Sequence, residues 1–127
     1  MALTIDRLDH LVLTVRDMEA SIDFYTRVMG FEVVNFGQGR KALAFGRQKI
    51  NLHPADAPLA PHALAPTPGS ADLCFVSAAP LDTVLAQLAA ADVPIESGPV
   101  PRTGAIGPIT SVYFRDPDHN LIEVSVY

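Results

Sequence analysis

Five polar side chains interrupt stretches that are otherwise apolar: His10 in DHLVLTV, Asn51 and His53 in KINLH, Asp72 in DLCFV and Glu123 in LIEVSV. Two are imidazoles and two are carboxylates, the groups that hold a divalent metal of intermediate softness such as Fe, Mn, Zn or Ni. A metal so held is a Lewis acid for a substrate oxygen. A carboxylate can also move a proton, and Tyr113 in TSVYFRD adds a phenol able to donate a hydrogen bond or serve as an acid. Whether these groups act together depends on the elements that carry them.

Alternation at Leu11, Leu13 and Val15 predicts a strand with His10 on its other face. DMEASIDFYTRVMG predicts a helix, with Asp17 as N-cap, Met18, Ile22, Tyr25 and Met29 at helical spacing, and Gly30 at C′. FEVVNF, KALAFG and KINLH read as strands, with GQGR a turn, so the order is β-α-β-β-β. Residues 54–70 hold five prolines, which forbid a sheet ladder or a long helix and predict an ordered connector. The order then repeats. DLCFVS is a strand, PLDTVLAQLAAAD a helix with Leu81, Leu85 and Leu88 on one face, and VPIESGPV, ITSVYFRD and NLIEVSVY are strands. GPVPRTGAIGP reads as a flexible rim, and DPDHN as a turn held by the side chains of Asp116, Asp118 and Asn120.

Laid over each other, the halves place His10 on Asp72 at an offset of 62 and Asn51 on Glu123 at an offset of 72. The two-residue period puts His10, Asn51, His53, Asp72 and Glu123 opposite the apolar positions that the helices must cover. Tyr113 falls with Ser111 and Arg115 on the face opposite Val112 and Phe114. One face of a sheet often meets water, and polar residues there need no function. Polar groups at equivalent points of two related halves argue for a shared site. The expected fold is α+β, a single domain of two βαβββ modules: module one 1–55, connector 56–70 and module two 71–127.

Net charge is −5 and no basic run occurs, which argues against nucleic-acid binding. Cys74 is the only cysteine, so no intrachain disulfide forms; it is expected as a small buried residue rather than a nucleophile. The acidic residues of MALTIDRLDH do not suit a signal peptide, and no run of eighteen apolar residues is present to span a membrane. A cytoplasmic protein is expected. Phe24 and Tyr25 are expected in the core, and His62 and His119 at the surface.

The paired modules, DHLVLTVRDMEASIDFYTRVMGFEVV at the start and FRDPDHNLIEV at the end resemble the vicinal oxygen chelate superfamily. Its members include glyoxalase I, extradiol dioxygenases, methylmalonyl-CoA epimerase and the fosfomycin and bleomycin resistance proteins. The resemblance covers nearly the whole chain and implies the glyoxalase/bleomycin resistance/dihydroxybiphenyl dioxygenase fold, with curved mixed sheets around a cavity. It implies a divalent metal there, held by first- and last-strand residues. His10 and Glu123 match those ligands. Asp72 falls where many members have His, and Asn51 where a glyoxalase I-like protein often has Glu. His53, about 6.5 Å along the strand from Asn51, is a further candidate ligand. The resemblance also implies a small oxygenated substrate, a glyoxalase/lyase, isomerase or dioxygenase reaction, and a homodimer; Glu123 and, from its strand parity, Tyr113 are the candidate catalytic groups. The reading from a different class is a non-catalytic drug- or metabolite-binding protein of the bleomycin resistance kind, which needs a cavity and no metal.

Overall fold

The computed structural model describes residues 2–127 and divides into two compact units, Met1–Pro66 and Thr67–Tyr127. Unit one carries β1 (His10–Val15), α1 (Met18–Arg27), β2 (Glu32–Phe36), β3 (Arg40–Phe45) and β4 (Gln48–Pro54). Its sheet runs β1-β4-β3-β2, with β1 and β4 parallel and the other pairs antiparallel. Asp17 starts α1 as expected: its Oδ1 accepts the Ala20 N–H at 3.1 Å, satisfying a donor that the first turn leaves open. Gly30 ends the turn at φ +71°, where a Cβ would be strained. The helix then buries Phe24 and Tyr25, while Leu13, Val15, Leu43, Ile50 and Leu52 are buried in the sheet beneath it. Tyr25 stacks on Phe31 at 5.7 Å between ring centroids, and Phe31 on Phe45 at 4.6 Å.

Unit two repeats the plan with β5 (Asp72–Val76), α2 (Leu81–Ala90), β6 (Ser97–Thr103), β7 (Pro108–Arg115) and β8 (Leu121–Val126), in the order β5-β8-β7-β6. Strand pairing supports the internal overlay. Val12 pairs with Asn51 in unit one, and Cys74 pairs with Glu123 in unit two. These positions are 62 and 72 residues apart, the offsets that align His10 with Asp72 and Asn51 with Glu123. Among the described residues no helix is long and apolar enough to cross a membrane.

Two expectations need correction. The strand expected over VPIESGPV begins only at Ser97, and it takes in PVPRT, which had read as flexible rim. Its prolines fit because β6 is an edge strand, where a missing N–H leaves no neighbour unpaired. The register shifts between Ser97 and Val100. Gly98 sits in that bulge at φ +101°, and a Cβ there would meet the Ser111 carbonyl oxygen at 2.4 Å. The remainder of the rim is also tied down: Gly104 N–H donates to Gly107 O at 2.8 Å, and Ile106 N–H donates to the Tyr127 hydroxyl at 3.2 Å.

The DPDHN turn is organised by one buried carboxylate. Asp116 Oδ1 accepts the N–H groups of Asp118 and Asn120, both at 2.9 Å, and Oδ2 accepts Asn120 Nδ2 at 2.8 Å. Asn120 Oδ1 in turn accepts the Ala71 N–H at 2.8 Å, tying the entry of β5 to the entry of β8. Asp116, Asp118 and Asn120 are each buried. Asp116→Ala leaves three buried donors unanswered and is expected to lower stability by about 3 kcal/mol. Urea unfolding checks it: the midpoint should fall with an unchanged m-value. Gly98→Ala should destabilise through the steric clash with the Ser111 carbonyl.

Candidate functional site

Glu123 stands at the centre of the helix-free face of unit two. Register places Cys74 of β5 on one side of it and Tyr113 of β7 on the other, and cross-strand neighbours of this kind lie within side-chain reach. The Ser125 hydroxyl donates to Glu123 Oε2 at 3.3 Å. Ser111 lies 2.6 Å from the same hydroxyl, and the Cys74 sulfur 3.3 Å from it. Ser125 has one proton. With that proton directed to Glu123 Oε2, both Ser111 O–H and Cys74 S–H must donate to Ser125, so the whole network points toward the carboxylate. Burial raises the Cys74 thiol above its ordinary value, and the Glu123 charge adds to the rise. The sequence expectation of a buried Cys74 is thus corrected: the residue is exposed, yet its thiol is held protonated.

Arg102 donates from Nε to the Tyr113 hydroxyl oxygen at 3.0 Å, and its guanidinium carbon lies 5.5 Å from the ring centroid. The phenol oxygen is therefore an acceptor in this bond, leaving its own O–H to point elsewhere. Glu123 also lines a cavity of about 280 Å³, with Cys74, Val76, Ala105, Ile109 and Tyr127 on its walls. Asp72 is exposed on the same face, two residues along β5 from Cys74. Arg115 forms a two-pronged ion pair with Glu96, both contacts at 2.9 Å. That pairing holds the Glu96 carboxyl below its ordinary value.

The helix-free face of unit one carries His10, Val12 and Thr14 from β1 and Lys49, Asn51 and His53 from β4, paired in that order. His10 is exposed, and its Nδ1 meets Asp9 Oδ2 at 2.8 Å. The hydrogen bond to His10 is the main cause of a lowered Asp9 pKa. Asn51 and His53 are buried, 5% and 2% exposed. His53 Nε2 lies 3.3 Å from Arg40 Nη2. A guanidinium can only donate, so Nε2 accepts and the proton resides on Nδ1. Burial, then the Arg40 charge, lowers the His53 pKa and keeps the ring neutral. Arg40, Lys49 and Arg102 escaped the sequence reading. Arg40 had been assigned to the GQGR turn; the parity of β3 would have put it with Ala42 and Ala44 on the His53 face.

Among the described residues no three His, Cys, Asp or Glu side chains of either unit gather as a metal-binding group. Individually, three of the expected ligands suit a divalent metal. Asp9 orients the His10 ring through Nδ1 and leaves Nε2 as the donor, the arrangement that carboxylates impose on metal-bound imidazoles. Glu123 and Asp72 offer carboxylate oxygens. His53 is directed to Arg40 instead, and a guanidinium 3.3 Å from its acceptor nitrogen repels a cation at that atom.

The family model for the Glyoxalase/Bleomycin resistance protein/Dioxygenase superfamily matches residues 7–124. A virulence protein of Salmonella typhimurium is 56% identical over 123 residues, 97% of this chain and 85% of that one. Its crystal structure superposes with a TM-score of 0.97 at 55% identity, covering 98% of this chain and 99% of that chain. A glyoxalase domain-containing protein of Mycosarcoma maydis is 55% identical over 125 residues, 98% of this chain and 70% of that one. At greater distance, a lactoylglutathione lyase from Agrobacterium tumefaciens superposes with a TM-score of 0.75 at 25% identity, covering 97% of this chain and 95% of that one. An antibiotic binding protein from Streptomyces superposes with a TM-score of 0.76 at 22% identity, over 98% of each chain, a likeness of fold. With both modules and nearly every residue inside the match, the chain belongs to the Glyoxalase/Bleomycin resistance protein/Dioxygenase superfamily.

Proposed function

We propose that this protein is a metal-dependent enzyme acting on a small oxygenated substrate by glyoxalase/lyase or dioxygenase-type chemistry. The observation that carries the reading is the setting of Glu123: a half-buried carboxylate on a cavity wall, flanked in register by Tyr113 and fed by the Ser125 hydroxyl. His10 in unit one, and Asp72 and Glu123 in unit two, are each proposed as metal donors, and a bound divalent metal would supply Lewis-acid polarisation of the substrate oxygens. Glu123 moves the proton, its Oε2 held by the hydrogen bond from Ser125. Tyr113 donates its O–H to a substrate oxygen, because Arg102 already occupies the phenol oxygen from the other side. Val76, Ala105 and Ile109 supply apolar wall for the carbon skeleton.

The second reading is a binding protein without catalysis, like the antibiotic binding protein from Streptomyces that shares the fold. Two observations favour it. Unit one has the Asn51 amide where unit two has Glu123, and His53 is committed to Arg40.

Metal content separates the readings. Mass spectrometry of protein purified without chelator, and again after reconstitution, should find close to one metal per chain, lost in a His10→Ala, Glu123→Ala double variant. Metal-free parent protein after reconstitution would overturn the enzyme reading and leave the binding protein. The thiol network makes a second expectation. Despite its exposure, Cys74 should alkylate slowly at pH 7. Glu123→Gln removes a charge that raises the thiol pKa, so Cys74 should react faster in that variant, as followed by iodoacetamide labelling and intact-mass measurement. An unchanged rate would show that Glu123 does not face the thiol.

A further inference from the structure

We propose that the helix-free face of unit one is a binding site for a small organic carboxylate, with Arg40 as its anchor. Two cations converge there on one aromatic ring. The Arg40 guanidinium carbon is 4.8 Å, and the Lys49 ammonium 3.9 Å, from the centroid of Phe36. Like charges brought to one ring repel each other, and among the described residues neither has a carboxylate within ion-pair distance. Asp9 feels Lys49 only as the weakest of the influences upon it, behind its own pairing with His10. The two cations thus face a position where negative charge is favoured and no side chain provides it.

Beneath them lie polar atoms without partners. Arg40 Nε, His53 Nδ1 and Asn51 Oδ1 are buried and make no hydrogen bond. With Nε2 accepting from Arg40, His53 presents Nδ1–H, so two of these atoms are donors and one is an acceptor. Buried polar groups of native proteins are almost always answered, and three unanswered on neighbouring strands mark a place where a ligand is needed. The ring of His53 is neutral, so the charge of the site comes from Arg40 and Lys49.

Past Arg40, the side chains of β3 on this face are small. Ala42 pairs with Asn51, and Ala44 pairs with Lys49, both on this side of β3. Unit two fills the equivalent positions with Tyr113 opposite Glu123 and Arg115 opposite Leu121. The guanidinium fork matches a planar carboxylate with two parallel hydrogen bonds, while Phe36 offers apolar surface to the adjoining carbon chain. The combination of fork, ammonium and ring selects an organic acid over a bare tetrahedral anion.

The test is a titration of the full chain, as purified and again after chelator treatment, with malonate, succinate, lactate and pyruvate, followed by ¹H–¹⁵N NMR of the backbone and of the arginine Nε–H groups. Succinamide and inorganic phosphate serve as comparators. At least one of the four acids should bind saturably, shift the Arg40 Nε–H resonance, and bind at least tenfold more weakly to Arg40→Gln. Lys49→Met should weaken it several-fold, and Arg40→Lys, which keeps the charge and loses the fork, should fall between parent and Arg40→Gln. Amide dispersion reports whether each variant is folded; if Arg40→Gln is not, the other two carry the test. No saturable binding of any of the four acids, equal affinity in the folded variants, or tighter binding of succinamide or phosphate would overturn the proposal. The inference requires no metal, so failure here leaves the metal-content result standing, and failure of the metal reading leaves this titration unaffected.

Discussion

Parallel pairing between the first and last strands of each unit is the constraint from which the rest of the molecule follows. Parallel neighbours cannot be joined by a tight turn, so a helix and two further strands fill the return path between β1 and β4, and again between β5 and β8. Register is then decisive, because a slip of one residue would turn every side chain to the opposite face. Leu11 beside Ile50 and Leu13 beside Leu52 fall under α1, and this leaves His10, Asn51 and His53 together on the other side. In unit two Leu73 beside Ile122 and Phe75 beside Val124 play the same part, which leaves Cys74 beside Glu123.

This division explains how two copies of one plan came to carry different chemistry. Helix-side residues are held by close packing, where even small volume changes are felt. Residues of the other face lie away from the helix, and it is there that the two units differ in charge. Unit one has become basic there, with Arg40 and Lys49 over the Phe36 ring. Unit two has become a carboxylate face, with Glu123 fed by a hydroxyl and thiol network and Tyr113 held by Arg102. The internal symmetry is one of backbone and register, and the side chains depart from it at the points where a ligand would be read.

The turn before β8 links stability to the site. Asp116 gathers three donors, Asn120 reaches back to Ala71, and Leu121 N–H donates to the Ala71 carbonyl at 3.1 Å. These bonds clamp β8 against β5 at the end nearest the turn, two residues before Glu123. The buried turn thereby fixes the backbone that leads into Glu123.

Much of this was legible in the sequence because it rests on local rules. The Asp17 cap, the Gly30 terminus, the alternation in β1, β4 and β8 and the two repeat offsets all follow from spacing along the chain, and together they put His10, Asn51, His53, Asp72, Tyr113 and Glu123 on the helix-free faces. What the sequence left open depends on partners distant along it. That PVPRT forms a strand follows from its place at a sheet edge, where proline is tolerated. That the Cys74 thiol is held protonated follows from desolvation by its neighbours and from the charge of Glu123, its partner across the strand pair. That His53 faces a guanidinium follows from the antiparallel return of β3 onto β4. The sequence by itself determined which residues share a face, since the period of a strand is a property of the backbone. Only the tertiary structure decided which side chains meet across that face and what charge each one sees, since strand neighbours are chosen by pairing and not by proximity in the chain.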